Sequence, residues 1–487
     1  MKAEPIQYSA GYKRVVTLLL MTAYTFNSMD RSIIPIIAQS MKIDLNLTDT
    51  ELGLLGGTAF GILYAFGGIP IARLAERFSR VNIITIALIV WSGLSALCGA
   101  AATFPQLLLI RSGVGLAEAG CAPPAHSLIS DYFEPERRSS ALSVYSCGIS
   151  LGYILAAVGG GYVAQHLGWR AACAVVGLPG IAIAVLIKIL IREPPRGYSE
   201  SSSAIRDTRG SATAPSRAVA PFSLRAELSE LRAVGKALLL DWPVLHMILG
   251  VTIGAFAAYG FYAFIPPYFS RAFGLGFAMI GIIAGLAGGV AVGIGIVAGG
   301  FIADFLARRS ASWYALVPAV GGAIAAPLFL LAVLQTHWRM ATCLLALAGF
   351  FQYASLGPTF GVVQNVVDKR RRATATALLY ICLNVIALGG GPLFTGWVID
   401  RFAETGFHHL HFPMLASSLG ATFRAGCPAG TSNAACESIL AAATRQGLLV
   451  MLIFFAWACL HYFLAALGLG KALKAAARRN ADIAALG

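Results

Sequence analysis

Four charged side chains fall inside stretches that are otherwise apolar: Asp30 and Arg31, then Arg111 and Glu118. An ionisable group held in hydrocarbon costs at least ~2.5–3.5 kcal/mol, so such residues are read as functional by default. Arg111 and Glu118 are seven apart and share one side of a helix, roughly 10 Å apart along its axis. Two carboxyls and two guanidiniums at similar depth suit proton exchange. Burial favours the neutral acid, while a neighbouring Arg favours the carboxylate. A site that alternates between water and Arg therefore takes up and releases protons. Asp30 and Glu118 are expected as the proton acceptors, with Arg111 as their modulator and the anchor for an anion. Arg31 either faces the same space or pairs with Asp30. A static ion-pair network tying two helices together is the plainer alternative, but buried pairs stabilise weakly.

The surroundings that must position these groups are membrane-like. Of 487 residues, 57% are hydrophobic and 12% charged, about half the charge of a soluble domain. Apolar runs long enough to span a bilayer are expected near 15–39, 51–72, 82–102, 105–131, 139–164, 170–190, 244–270, 277–303, 312–334, 340–367, 373–400 and 444–469. With the N-terminus cytoplasmic, the cytoplasmic segments hold 27 of the 36 Lys and Arg, the opposite segments seven, and the spans only Arg31 and Arg111. The net charge of +14 therefore reports orientation, and nucleic acid is not needed to explain it. Both termini are expected in the cytoplasm. The first run follows Lys13-Arg14 as a signal peptide would, yet it carries Asn27, Asp30 and Arg31 without a cleavage site, so it reads as a retained helix. Counting ~1.5 Å per residue from the cytoplasmic ends puts Glu118 near 20 Å, Asp30 near 24 Å and Arg111 near 30 Å.

Residues 192–240 interrupt the pattern with Ser, Ala, Pro and Arg and read as a cytoplasmic linker. Its latter part, near Ser223 to Leu239, has the spacing of a surface helix. The linker divides the chain into bundles at 1–191 and 241–487, six spans each. The halves repeat each other. ARLAERFSR (Ala72–Arg80) leaves the second span and GFIADFLARR (Gly300–Arg309) leaves the eighth, each with an acid, Glu76 or Asp304, followed by basic residues. The turns around Arg138 and Arg372 also match. At the cytoplasmic surface these acids can meet helix N-termini of the other half, contacts worth roughly 0.3–1 kcal/mol each. Glu76, Arg77, Arg138, Asp304, Arg308 and Arg372 are thus the expected cytoplasmic latch.

These repeated turns resemble the signature of the major facilitator superfamily, although Ala72, Ser79 and Glu76 depart from it in the first copy. The resemblance covers the whole chain. It implies an all-α membrane protein of twelve transmembrane helices in two six-helix bundles, in which the first, fourth, seventh and tenth helices line a central cavity. Asn27-x-x-Asp30-Arg31, Arg111-x-x-x-Gly115-x-x-Glu118-Ala119 with Pro124, Ser127 and Asp131, Gly148-x-x-x-Gly152-Tyr153 and Gly168-Trp169-Arg170 look most like the spinster branch. That branch implies proton-linked transport of lysophospholipids or sphingosine-phosphate-like lipids. Organic anion:proton symporters share the Asp-Arg pair and the Arg…Gly…Glu-Ala pattern, so sugar acids and carboxylates stay open as substrates.

The second half offers no comparable charge in its seventh or tenth span. It offers aromatic and amide groups: Phe256, Tyr259 and Tyr262, then Phe351, Gln352, Tyr353 and Gln364, and Asn384. With Asn27, Arg111 and Tyr153, the residues Phe256, Tyr259, Tyr353, Gln364 and Asn384 are the expected cavity lining. Cys427 and Cys436, nine apart in the last outer loop (404–438), are expected to form a disulfide. His408, His409 and His411 in that loop lack further ligands at metal-binding spacing. No metal, cofactor other than a coupling proton, enzymatic motif or protein partner is expected. The reading is a monomer in the bilayer, in the cell membrane of a bacterium, moving a small amphipathic or anionic substrate by alternating access.

Overall fold

The computed structural model describes residues 8–196, 198, 224–367, 371–409, 422–430 and 433–485. Within them twelve helical rods follow one another. The first half comprises α1 (Ala10–Leu45), α2 (49–77), α3 (Arg80–Cys98), α4 (104–132), α5 (135–167) and α6 (169–190). The second comprises α7 (Trp242–Phe273), α8 (Phe277–Ala307), α9 (Trp313–Val333), α10 (338–366), α11 (372–409) and α12 (Ala434–Ala485). Eight stretches are long and apolar enough to cross a membrane, and one of them, Ser140–Leu190, contains two rods folded at Gly168. Gly168 has φ 84°, a backbone conformation that side chains with a Cβ resist.

Local chemistry sets the ends. Ser9, Ser79, Thr103 and Asp241 accept from the first-turn amides of α1, α3, α4 and α7. Thr48 and Glu51 form a reciprocal capping box at the start of α2. Outward faces stay apolar, as at Leu109, Phe301 and Leu467, because the solvent there is lipid.

The rods form two bundles joined along a seam where α1 meets α7, α2 meets α11 and α5 meets α8. The core is distributed unevenly along this seam. On the face away from the linker, one apolar core runs through both halves, from Ile33, Ile37 and Leu55 to Phe261, Phe269 and Met451. Toward the linker face it divides in two. Val16, Trp91 and Tyr145 belong to a core of the first half, and Val234, Val363 and Leu469 to one of the second. The two halves are therefore fused at the far face, and their cores separate toward the linker face.

The linker is more ordered at its edges than its composition implied. Residues 192–196 lie on the first bundle, and Leu224–Leu240 is a helix whose Val234 and Leu238 are buried against the second. The region between, 199–223, lies outside the described residues.

Four π-helical segments interrupt the rods: Leu54–Thr58 in α2, Ala156–Gly160 in α5, Gly285–Ala291 in α8 and Cys382–Leu388 in α11. All four lie where the halves meet.

Candidate functional site in the central cavity

The charges of α1 and α4 meet as two crossed ion pairs. Arg111 donates from Nη1 to Asp30 Oδ2 at 2.8 Å, and Arg31 donates from Nε to Glu118 Oε2 at 2.7 Å. Arg31 is therefore not the partner of Asp30, its neighbour in sequence. Successive helical residues diverge by about 100°, so the two side chains cannot converge on each other. Glu118 is wholly buried, and Asp30 and Arg111 are nearly so. The Arg31 side chain keeps 29% of its surface exposed.

The two guanidiniums thus differ in exposure. Arg111 is paired with Asp30 in the interior, whereas the Arg31 side chain is partly exposed. The Arg31 guanidinium lies over Tyr64 at 4.2 Å and Phe60 at 4.8 Å. Its Nη2 is buried without a hydrogen-bond partner, as are Asn27 Nδ2, Arg111 Nε and Glu118 Oε1. Unsatisfied polar atoms are uncommon in a folded interior. Here they gather around the two ion pairs of α1 and α4.

Backbone proximity puts these side chains in place. A Cβ on Gly152 would sit 2.3 Å from the carbonyl oxygen of Thr25, and one on Gly115 would sit 2.5 Å from that of Phe60. The two glycines let α5 press on α1 and α4 press on α2. Pro123 and Pro124 start the second part of α4, so the helix bends just after Glu118.

On the opposite wall Tyr259 of α7 and Tyr380 of α11 are 39% and 52% exposed. Tyr24, Tyr64 and Tyr259 lie within electrostatic range of Arg31. The sequence had not singled out Phe60, Tyr64 or Tyr380. An aromatic residue in an apolar span carries no mark that separates a cavity wall from a lipid face. Tyr153 packs on Gly288 of α8 at the seam. Tyr353 is 6.1 Å from Tyr262 between ring centres, and Asn384 donates to the carbonyl of Tyr380. Phe256, partly buried, is in a cluster with Phe394 and Phe454 of α11 and α12. The side chain of Gln364 lies outside the described residues.

At the linker face the side chains of Glu76 and Arg372 also lie outside the described residues. Arg77 and Arg308 are exposed. Arg138 donates to the carbonyls of Ser130 and Phe133, and Asp304 accepts from Tyr314 of its own half at 3.0 Å. A different cluster is prominent here. Arg80, buried at the start of α3, donates to Asp131, to Glu193 at 2.7 Å, to Ser127 at 2.9 Å and to the carbonyl of Pro194. Burial alone would raise the Glu193 carboxyl, but the Val81 amide, Arg80 and Ser79 hold it below its ordinary value.

On the far face Cys427 and Cys436 are joined in a disulfide with their Cα atoms 5.6 Å apart. His408 contacts Glu404 at 3.2 Å; His411 lies outside the described residues, and no metal-binding cluster is found among the described ones.

With this geometry in view, comparison places the chain among known proteins. It is 29% identical over 381 residues to an MFS-type efflux pump of Mycolicibacterium smegmatis, covering 78% of this chain and 83% of that one. It is 25% identical over 399 residues to the hexuronate transporter of Bacillus subtilis, covering 80% and 88%. Protein spinster of Drosophila melanogaster is 26% identical over 446 residues, covering 86% and 67%. A crystal structure of a bacterial homolog to the human lysosomal transporter spinster, inward-facing and unoccupied, superposes with a TM-score of 0.81 at 31% identity, covering 96% of this chain and 99% of that one. Residues 20–392 match the family described as the Major Facilitator Superfamily. The chain is a transporter of the major facilitator superfamily.

Proposed function

We propose that this transporter couples a proton to an amphipathic anion of the lysophospholipid or sphingosine-phosphate kind, through a guanidinium that the proton site and the substrate share. The observation that carries the reading is Arg31, bound to Glu118 through Nε, with Nη2 buried without a partner and part of its side chain exposed. A phosphate or carboxylate is well matched to a guanidinium, and the rings of Phe60, Tyr64, Tyr259 and Tyr380 offer apolar surface to a chain. When the anion draws Arg31 away, Glu118 is left as a buried carboxylate without a counter-charge. Such a group takes a proton rather than bear the desolvation cost. Conversely, protonation of Glu118 frees Arg31 for the substrate. Asp30 and Arg111 hold the neighbouring pair in place and set the local charge.

A second reading, a proton-linked symporter of sugar acids, is favoured by the likeness to the hexuronate transporter. The same Arg31 would then hold the carboxylate. The positive-inside charge bias supports a linker face in the cytoplasm, with both termini there and the protein in a bacterial inner membrane.

Transport into proteoliposomes under an imposed pH gradient distinguishes these. The expected result is saturable, gradient-driven movement of a lysophospholipid that Glu118→Gln uncouples from the gradient. Movement of a hexuronate alone overturns the lipid reading. Unchanged gradient dependence in Glu118→Gln overturns the proton assignment.

A further inference from the structure

We propose that Asp400, acting with the buried chain Lys42–Asp49–Arg271, is the latch that holds the far face shut and must break for the cavity to open on that side. The four residues come from four rods, two in each half. Asp49, at the start of α2, is wholly buried. It accepts from Lys42 of α1 at 2.5 Å and from Arg271 of α7 at 2.6 Å. Arg271 also donates from Nε to Gln39 of α1 and from Nη1 to Thr444 of α12, each at 2.8 Å. One nearly buried guanidinium thus ties both halves together.

Asp400 of α11 makes the second tie. Its carboxylate accepts from the Asp49 amide at 3.0 Å, the Thr50 amide at 2.8 Å and the Thr50 hydroxyl at 2.5 Å. These are the free amides of the first turn of α2, the positive end of a helix dipole. A carboxylate of one half therefore caps a helix of the other. It is the same kind of contact, a carboxylate at a helix N-terminus of the other half, as the one expected from sequence on the linker face.

A third tie lies outside these two. The disulfide-bonded loop of the second half grips the α1–α2 turn of the first. Arg424 donates to the Asn46 carbonyl at 2.6 Å, and the Ala429 amide donates to Asn46 Oδ1 at 3.3 Å. A cavity of about 450 Å³ lies between this loop and the buried ions, lined by Gln39, Lys42, Arg271, Asp400 and Arg424 among others. When the halves part, this space becomes the route by which water reaches the ions.

The chemistry suits a reversible seal. Two cations and two carboxylates sum to zero, so closing buries no net charge. Opening loses the bonds but returns four charged groups to water, which recovers their desolvation cost. The two terms oppose each other.

The latch is independent of the substrate reading, because its test needs no substrate. Spin labels at Ala102→Cys and Thr336→Cys, exposed in the α3–α4 and α9–α10 turns, would report the far-face separation of the halves. The background carries Cys147→Ser and Cys343→Ser and keeps the disulfide, and the protein is reconstituted in liposomes. The parent should show mainly the short distance. Asp400→Asn, which removes the charge, and Thr50→Val, which removes one hydroxyl, should each raise the long-distance fraction, by about five-fold or more for Asp400→Asn. An unchanged distance distribution in Thr50→Val and in whichever Asp400→Asn protein folds overturns the latch.

Discussion

Asp30 and Arg31 are neighbours in sequence and end in different ion pairs, so each pair bridges α1 and α4 instead of closing on one helix. The energetic meaning of each pair can be tested by removing one partner or both. Arg31→Gln leaves Glu118 to be buried without a counter-charge or to take a proton, at a cost that grows with pH towards the ~3–5 kcal/mol of a stranded charge. Adding Glu118→Gln removes the stranded charge. Thermal unfolding in detergent should therefore show a large drop for Arg31→Gln and substantial recovery in the double variant. A double variant no better than the single one would place the loss elsewhere. Residue types were legible in the sequence here: four charges inside apolar spans point to a site. Their partners were not, because pairing depends on how two helices are rotated against each other. For the same reason the partly exposed side chain is that of Arg31, while Arg111 is enclosed.

Among the elements, the spans were readable from hydropathy because lipid enforces long apolar runs. The turns were less so. Glu193, Pro194 and Arg196 looked like the start of a solvated linker, since charged and proline-rich segments usually are. Their partners, Arg80 for Glu193 and Pro194 and the Ala75 and Phe78 carbonyls for Arg196, are far away in sequence, and only the packed bundle brings them together. This clasp fixes where the linker leaves the first half. It also carries a pH signature. Glu193 is held below its ordinary value, so its contribution is present above the carboxylate range of about 4 and is lost as pH falls through its depressed value. The melting temperature of Glu193→Gln should lie below that of the parent from pH 8 to about pH 5. The gap should close only on further acidification. A gap that instead changes between pH 8 and 6 would assign the effect to another group.

For the whole molecule, charge bias and the internal repeat foretold two bundles and a seam. They could not foretell which end of the seam is closed. That is decided by one apolar core continuous across the far face and two separate cores toward the linker, an arrangement in keeping with the inward-facing structure it resembles. Charges such as Lys42, Asp49 and Arg271 escaped notice because they lie at span ends, where solvated loop residues are common. The disulfide between Cys427 and Cys436 belongs to this scale, since its loop crosses from one half to the other. The variant with both Cys427→Ser and Cys436→Ser should fold and insert, with the loop made more susceptible to protease added at the far face. Equal protection with and without the bridge would mean that Arg424 and Asn46 suffice to hold the loop.

The π-helical segments bear on how any such sequence can be read. Each widens one turn of its helix and so shifts the angular phase of every residue beyond it. In α2 the segment Leu54–Thr58 precedes Phe60 and Tyr64, and it is their phase that turns both rings toward Arg31. A regular 3.6-residue helical wheel drawn through α2 from its capped start would point those rings elsewhere. Along α2, α5, α8 and α11, facing must therefore be reckoned separately on either side of the π segment, as though each rod were two helices joined out of step.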